Sequence, residues 1–202
     1  TAEKIESLVR QLTTSWRERL EEALRGGAAS LAREQIIERY SEAFSPEYQA
    51  IHSITECLQD ISQIESLSAQ HPTRIGMSES ADPLSGFFTL MVYNLGAEIT
   101  ISQAFPILEN AGLLIVNERS AKVSLSEGSV AYIHRFLVRP RHALYVDRSA
   151  FERNFAPGLV QIFSGQTDND LLNSLLLTAN LEVRAISLLR TYCSYIWQIS
   201  SF

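Results

Sequence analysis

The chain has 202 residues, of which 46% are hydrophobic and 20% are charged, and its net charge is −6. This length and composition suffice for one substantial core or for two smaller units. The acidic balance and the lack of any dense basic run argue against a nucleic-acid-binding protein. No stretch approaches the roughly 18 consecutive apolar residues of a transmembrane helix, so no membrane partner is expected.

The first third of the chain predicts helices. Apolar residues recur at helical spacing over 3–25, and a second helix is expected over 29–42. Ser45 and Pro46 provide an N-cap and a first-turn proline for a third helix, which we expect to continue as one element to about residue 67.

The pattern changes after residue 68. A short strand is expected over 73–78, and the aromatic and branched residues of 87–94 alternate as in a second strand. A short helix follows, capped by Ser102 and ending near Asn110. Pro106 lies inside this helix, and Gly112 is free to adopt the left-handed conformation that often follows a helix.

Two longer extended runs, 113–125 and 129–140, come next. Ser126, Glu127 and Gly128 between them are typical of a hairpin connection. The middle of the chain is therefore predicted to be an α+β unit.

The last part of the chain returns to helix. Pro157 and Gly158 are expected to break the segment 151–165, which leaves its first half as a separate turn. Asp168 or Asp170 can cap the next helix. A final helix over 182–200 is expected to bury one face, formed by Ile186, Leu189, Tyr192 and Ile196.

The sequence yields no catalytic or metal-binding constellation. It has no glycine-rich phosphate loop, no nucleophile elbow and no pair of histidines at zinc-binding spacing. Glu109 lacks an identifiable pocket partner, and we interpret it as a helix-end or interface charge. Cys57 and Cys193 match no metal or redox spacing and are expected to be buried thiols of a cytosolic protein.

Basic side chains concentrate on the extended run 129–140 and just beyond it. This cluster could bind a phosphate or carboxylate, or it could form a solvated or ion-paired face of a strand, which is the commoner outcome. The residues are His134, Arg135, Arg139 and Arg141, with His142 next to them.

Several segments, taken together and in order, resemble the large NAD-specific bacterial glutamate dehydrogenases. The most distinctive is ISQAFPILENAGLLIVNER, with its central proline, its Leu-Glu-Asn, its glycine and its strand ending in Glu-Arg. The resembling segments cover nearly the whole chain and are 15–24, 38–50, 57–67, 101–119, 131–139 and 173–199.

The resemblance implies a fold, an activity and a location. These enzymes oxidatively deaminate L-glutamate to 2-oxoglutarate with NAD, and a long N-terminal region of ACT-like modules and helical motifs precedes their catalytic domain. This chain would then comprise a helical segment (1–68), a small ACT-like antiparallel sheet with helices (69–165) and a helical segment (166–202). Its ends lack start and stop signals, so we expect a cytoplasmic, non-catalytic piece of a longer protein.

The same resemblance implies cofactors and partners. NAD would be bound by the parent enzyme and by no residue of this chain. The expected partners are the protein's own catalytic domain and the other subunits of a homo-oligomer, contacted through the sheet edge and through exposed apolar seams on the helices 3–25 and 46–67.

ACT-like modules elsewhere bind amino acids where a strand meets a helix, which here is the segment 93–102. Gly96 would let backbone approach such an effector, and Asn94, Glu98 and Thr100 offer polar groups. The alternative is an ordinary strand-to-helix turn.

Two hypotheses about function follow. The first is an architectural and regulatory segment of a glutamate dehydrogenase, and the second is a free-standing ACT-like amino-acid-binding module. A purely helical scaffold is a third, which the predicted strands argue against.

Overall fold

The computed structural model describes residues 14–25, 30–79, 86–125, 128–141 and 146–200. Within them the chain combines helices with a four-stranded antiparallel sheet, which confirms the predicted α+β class. The chain forms two compact units. One consists of residues 1–66 with 121–131, and the other of residues 67–120 with 132–202.

The first unit contains four described helices, and serine caps precede three of them. The helices are α1 (Trp16–Leu24), α2 (Ser30–Tyr40), α3 (Pro46–Ile51) and α4 (Ile54–Glu65). The three with serine caps are α1, α3 and α4. Before α1, the Ser15 hydroxyl accepts a hydrogen bond from the Glu18 N–H, and the Glu18 carboxylate accepts one from the Ser15 N–H. Ser53 and Glu56 form the same reciprocal capping box before α4.

The single helix predicted from residue 46 to residue 67 is wrong, because two helices are present. His52 leaves the helical conformation, with φ −104° and ψ 139°, and so ends α3. Ser53 then starts α4 with its own capping box, which satisfies backbone N–H groups that the first turn of a helix leaves unpaired.

Aromatic side chains fill the core of the first unit. Phe44 stacks on Tyr48 with ring centroids 4.7 Å apart and contacts Trp16 edge-on at 6.0 Å. The Tyr40 hydroxyl donates to the Glu65 carboxylate at 2.7 Å. Burial and this hydrogen bond raise the pKa of Tyr40 above its usual range, so the phenol stays neutral at any pH near neutrality.

The apolar seams of these helices are buried only in part, because Ile51 at the end of α3 is 58% exposed and Ile54 and Leu58 are half-buried. Trp16 and Leu20 on α1, and Ile61 and Ile64 on α4, all belong to the core. The prediction that these two seams are exposed is therefore wrong for these four residues, and contacts of the seams with other subunits stay a prediction. The free-energy gain from burying these four side chains is realised within the unit itself.

The sheet has the strand order β1-β2-β4-β3. Its strands are β1 (Thr73–Glu79), β2 (Phe88–Leu95), β3 (Leu113–Ser124) and β4 (Val130–Pro140), close to the four predicted strands. β1 and β2 are antiparallel, in a register that pairs Thr73 with Asn94 and Glu79 with Phe88. Two residues of the predicted hairpin, 126 and 127, lie outside the described residues.

A helix, α5 (Ile101–Asn110), connects β2 to β3 and contains Pro106 as predicted. It begins two residues earlier than expected, since Thr100 rather than Ser102 occupies the N-cap position. Gly112 has a φ of +87°, the left-handed conformation predicted for it.

One face of the sheet forms the core of the second unit. Its apolar side chains alternate along β2 and β4 and pack against α5 and against a later helix, α7 (Ala156–Phe163). Members of this core include Phe88, Leu90, Val92, Leu108, Leu113, Phe136, Val138, Leu159 and Leu176.

The predicted break at Pro157 and Gly158 is wrong. A short α6 (Arg148–Ala150) runs through a wider π-helical turn, 151–155, directly into α7. Within that turn the Ala156 N–H donates to the Phe151 carbonyl, five residues back. Pro157 then falls in the first turn of α7, where an N–H group is not required.

Gly158 is needed for close packing rather than for a turn. A Cβ atom at this position would lie 2.6 Å and 2.9 Å from the two methyl carbons of Leu176 and 3.2 Å from Val183 Cγ2. Glycine therefore lets α7 approach the next two helices, α8 (Leu175–Thr178) and α9 (Val183–Ser200).

The predicted burial along the last helix is largely wrong. Of its four expected core residues only Ile186 is buried, whereas Leu189, Tyr192 and Ile196 are exposed. Cys193 is exposed as well, while Cys57 is buried as predicted. The helical spacing of these side chains is correct, but no part of the described chain covers them.

We expect Gly158→Ala to lower the free energy of unfolding by about 1–3 kcal/mol, because the added methyl overpacks the contact with Leu176. Denaturant titration of both proteins measures the change. Gly76→Ala is the matched control, since a Cβ there would meet its nearest atom at 3.4 Å, the tip of Met91. Equal effects of the two substitutions would contradict the packing role of Gly158.

Candidate functional site

The segment between β2 and α5 contains the four residues that the sequence suggests as an amino-acid site. Gly96 lies at its turn with a φ of +85°, and a Cβ atom there would meet no atom within 4 Å. The left-handed backbone, and not crowding, is thus what favours glycine at this position. Gly96 and Glu98 are both exposed.

The polar groups of Asn94 and Thr100 are used inside the turn. The side-chain oxygen Oδ1 of Asn94 accepts a hydrogen bond from the Thr73 hydroxyl at 2.6 Å. The side-chain nitrogen Nδ2 of Asn94 donates one to the Ala97 backbone carbonyl at 2.7 Å. The Thr100 N–H and hydroxyl both donate to Gln103 Oε1 at 3.0 Å. These bonds join β1, β2 and the start of α5, and they leave Glu98 as the charged group of the turn that faces solvent.

The predicted basic cluster is divided between the two faces of β4. His134 lies on the face of Phe136 and is 3% exposed, with its Nδ1 3.1 Å from Glu118 Oε1. Its ring stacks on that of Phe136 with centroids 6.1 Å apart. Arg135 and Arg139, at odd positions, occupy the opposite face because strand residues alternate.

The other members of the cluster also have local contacts. Arg139 is exposed, and its guanidinium carbon lies 5.9 Å from the Phe87 ring centroid. Arg141 is exposed just after β4, where its backbone N–H donates to the Gly112 carbonyl at 2.8 Å. Residue 142 lies outside the described residues. His134 is therefore not brought together with the arginines, and its buried pairing with Glu118 serves the core of the sheet.

A polar network that the sequence does not suggest holds the start of α9. Arg190 donates from Nε to the Asp170 carboxylate at 2.5 Å, from Nη1 to the Thr167 hydroxyl at 3.2 Å and from Nη2 to the Asp168 carbonyl at 3.1 Å. It also bonds the amide oxygen of Asn173, a side chain that is 2% exposed. We call these five residues the Arg190 latch.

Two residues of the Arg190 latch, Asp168 and Asp170, are those that the sequence suggests only as helix caps. Asp170 does cap the short helical turn 171–174, since its carboxylate accepts from the Leu172 N–H at 2.9 Å. The same carboxylate binds Arg190, twenty residues later in the chain, and only the folded structure places that partner. A planar guanidinium with several carboxylate and carbonyl acceptors fixes orientation as well as distance.

Among the described residues, no group of three or more His, Cys, Asp or Glu side chains is placed to hold a metal ion. In the same part of the chain, no helix combines the length and the apolar character that crossing a membrane requires.

We expect Arg190→Met to lower the free energy of unfolding by about 1–3 kcal/mol, because Asn173 and Asp170 lose a charged donor. Amide hydrogen exchange over 183–190 should become faster. Arg184→Met is the matched control on the same helix, since Arg184 is exposed and an exposed change costs less than about 0.5 kcal/mol. If both variants lowered the free energy of unfolding equally, the Arg190 latch would contribute no more stability than the exposed Arg184 does.

Two family models match this chain, and their limits agree with the elements described above. The model described as "Glutamate dehydrogenase, ACT3 domain" matches residues 73–151, from the first residue of β1 to the start of the π-helical turn. The model described as "Glutamate dehydrogenase, helical motif 3" matches residues 167–202, which include the Arg190 latch and α9. Together the two matches take in more than half of the chain.

Three curated relatives, each named NAD-specific glutamate dehydrogenase, are similar to the chain over most of its length. The protein of Halomonas elongata is 26% identical over 196 residues, which is 97% of this chain and 12% of the relative. That of Pseudomonas aeruginosa is 30% identical over 160 residues, covering 79% and 9%. That of Mycobacterium tuberculosis is 26% identical over 200 residues, covering 96% and 12%.

The chain thus spans roughly a tenth of the length of the relatives it matches. Both models and all three relatives agree on one family, and the matched limits follow the sheet and the last helix. The chain belongs to the NAD-specific glutamate dehydrogenase family and carries its ACT3 domain followed by its helical motif 3.

Proposed function

We propose that this chain is a non-catalytic, architectural segment of an NAD-dependent glutamate dehydrogenase. The parent would convert L-glutamate, NAD and water to 2-oxoglutarate, ammonia and NADH, with glutamate and NAD bound by residues outside this chain. The observation that carries the proposal is the pair of matches to a named ACT3 domain and helical motif, which fill a small part of much longer relatives.

The side-chain contacts support an architectural role. His134 is paired with Glu118, Asn94 joins β1 to the turn before α5, and Arg190 ties α9 to the preceding loop. Each of these polar groups contributes to the position of a strand or helix. The proposed mechanism is therefore that the segment places the catalytic domain and neighbouring subunits of a cytoplasmic homo-oligomer.

Turnover by the long polypeptide tests this proposal directly. With L-glutamate and NAD, we expect the gene product that carries this segment to form NADH, and the isolated chain of residues 1–202 to form none. The appearance of NADH is followed by absorbance.

Two results would count against the proposal. NADH formation by the isolated chain would place catalytic residues within it. An inactive long form, or a gene that does not continue into a dinucleotide-binding domain, would leave the free-standing ACT-like module as the better hypothesis.

An amino-acid effector at the turn 94–100 is a second proposal, favoured by one observation. Gly96 leaves open space beside its backbone, and the Glu98 carboxylate next to it is exposed. These groups fit the ammonium group of an amino acid, which a carboxylate recognises by charge and hydrogen bonding.

A thermal-shift titration with single amino acids tests this site. An effector at about ten times its dissociation constant should add about 1.4 kcal/mol of stability and raise the melting temperature. Glu98→Gln should abolish the shift, whereas Glu109→Gln, another exposed carboxylate near the end of α5, should retain it. If no amino acid shifted the melting temperature at millimolar concentration, the proposed effector site would be ruled out.

A further inference from the structure

From Leu188 onward, α9 exposes an apolar surface that no described element covers. We call it the α9 face. It comprises Leu188, Leu189, Tyr192, Tyr195, Ile196 and Ile199, which are 56%, 39%, 58%, 59%, 57% and 58% exposed. Trp197 on the adjoining side of the helix is 75% exposed.

The spacing of the α9 face is that of a helix-packing seam. Leu188, Tyr192, Tyr195 and Ile199 follow one another at intervals of four, three and four residues, the a/d pattern of a coiled coil. Leu189 and Ile196 widen the stripe along one edge. At about 1.5 Å per residue the seam extends over roughly 16 Å of helix axis.

The α9 face is presented on a helix whose first half is fixed. Ile186 is buried in the core of the second unit, and the Arg190 latch holds the next turn. All residues from 191 to 200 are exposed, yet they continue the same α-helix. A partner would therefore meet a preformed surface and would not have to order this helix on binding.

The exposed apolar area is larger than a self-sufficient protein normally leaves uncovered. Three aromatic side chains of about 150–250 Å² each, at the exposed fractions of Tyr192, Tyr195 and Trp197, leave about 290–480 Å² uncovered. The four aliphatic side chains add to this. The sum exceeds the roughly 300–600 Å² that the largest apolar patch of a typical monomer reaches.

The composition of this half-helix distinguishes a permanent contact from a transient one. No charged residue occurs from Thr191 to Phe202, and the polar side chains there are small hydroxyl groups and one glutamine. Interfaces between proteins that also exist separately keep a polar, charged rim, whereas permanent contacts are more apolar and resemble a domain core.

We propose that the α9 face is covered by an apolar helix from the rest of the same long polypeptide. This inference rests on the proposed function, because it takes the chain as a segment of such a polypeptide. The matched relatives place about nine-tenths of their length outside the region aligned with this chain, so ample chain is present to supply the helix. The a/d spacing is compatible with a helix as the covering element.

The reactivity of the Cys193 thiol measures whether the α9 face is covered. Cys193 lies on α9 one turn from Leu189, Ile196 and Trp197 and is exposed, whereas Cys57 is buried. The test treats the long polypeptide and the isolated chain with N-ethylmaleimide under native conditions. After tryptic cleavage at Arg190, mass spectrometry quantifies labelling of the peptide that begins at Thr191.

We expect Cys193 to react readily in the isolated chain and at least about tenfold more slowly in the long polypeptide, a factor equivalent to about 1.4 kcal/mol. Cys57 should stay unlabelled in both, which verifies that each is folded. Equal rates at Cys193 in the two forms would overturn the proposal. Protection that disappears on dilution to a monomeric long polypeptide would also overturn it, and would assign the α9 face to a second copy.

A double substitution tests the same contact by stability. Tyr192→Gln with Tyr195→Gln should lower the melting temperature of the long polypeptide by several degrees and leave that of the isolated chain unchanged. The control Ile186→Ala should destabilise both, because Ile186 is buried within the second unit. A double variant that destabilised neither form would overturn the proposal.

The readouts separate this inference from the proposed function. If the long polypeptide protected Cys193 but formed no NADH, the proposed helix contact would be supported and the proposed glutamate dehydrogenase function would be rejected. If it formed NADH and left Cys193 reactive, the proposed function would be supported and the proposed α9 contact would be rejected.

Discussion

The apolar face of the four-stranded sheet must be covered, and this requirement places the helices of the second unit. Phe88, Leu90 and Val92 on β2 face the same side as Phe136 and Val138 on β4. Helices α5 and α7 pack on that side, and α8 and the start of α9 pack in turn against α7. The close approach at Gly158 allows this last layer, because the missing side chain leaves room for Leu176 and Val183.

Polar side chains in this fold mostly hold the scaffold together. Asn94 bonds to neighbouring structure through both ends of its amide, and His134 is buried against Glu118 within the sheet. The Arg190 guanidinium donates hydrogen bonds to the loop before α8. Buried polar groups carry a desolvation cost that their hydrogen bonds offset, and each bond also fixes a direction. Such groups agree with the architectural role proposed above.

Much of the fold could be predicted because the local signals are strong. Alternating branched and aromatic residues identified β2, and the other three strands were expected as extended runs between turn residues. Gly112 adopts the left-handed conformation that its place after a helix predicts. The sequence also contains a signal for the division between α3 and α4, because Ser53 followed three residues later by Glu56 is a capping-box pattern. A continuous apolar periodicity across His52 concealed it.

Other errors came from what periodicity cannot tell. Apolar spacing identifies one side of a helix but does not say what lies against it. The seams of α1 and α4 were expected to be exposed, yet their central residues are buried, whereas most of the face of α9 was expected to be buried and is exposed. Likewise, residue spacing placed His134 near Arg135 and Arg139, although strand alternation sends them to opposite faces. The Arg190 latch depends on partners far apart in sequence, which only folding brings together.

The polarity of α9 changes along its axis rather than around it. Its first half carries Arg184 and Arg190 and has one buried residue, Ile186, so it behaves as an ordinary surface helix of the second unit. Its second half has no charge and carries large apolar side chains on more than one side, with Trp197 outside the main stripe. A helix that is apolar on several sides is stable in the interior of a larger protein. On the proposal made above, one continuous helix thus joins a surface that this chain covers itself to a surface that another part of the long polypeptide covers.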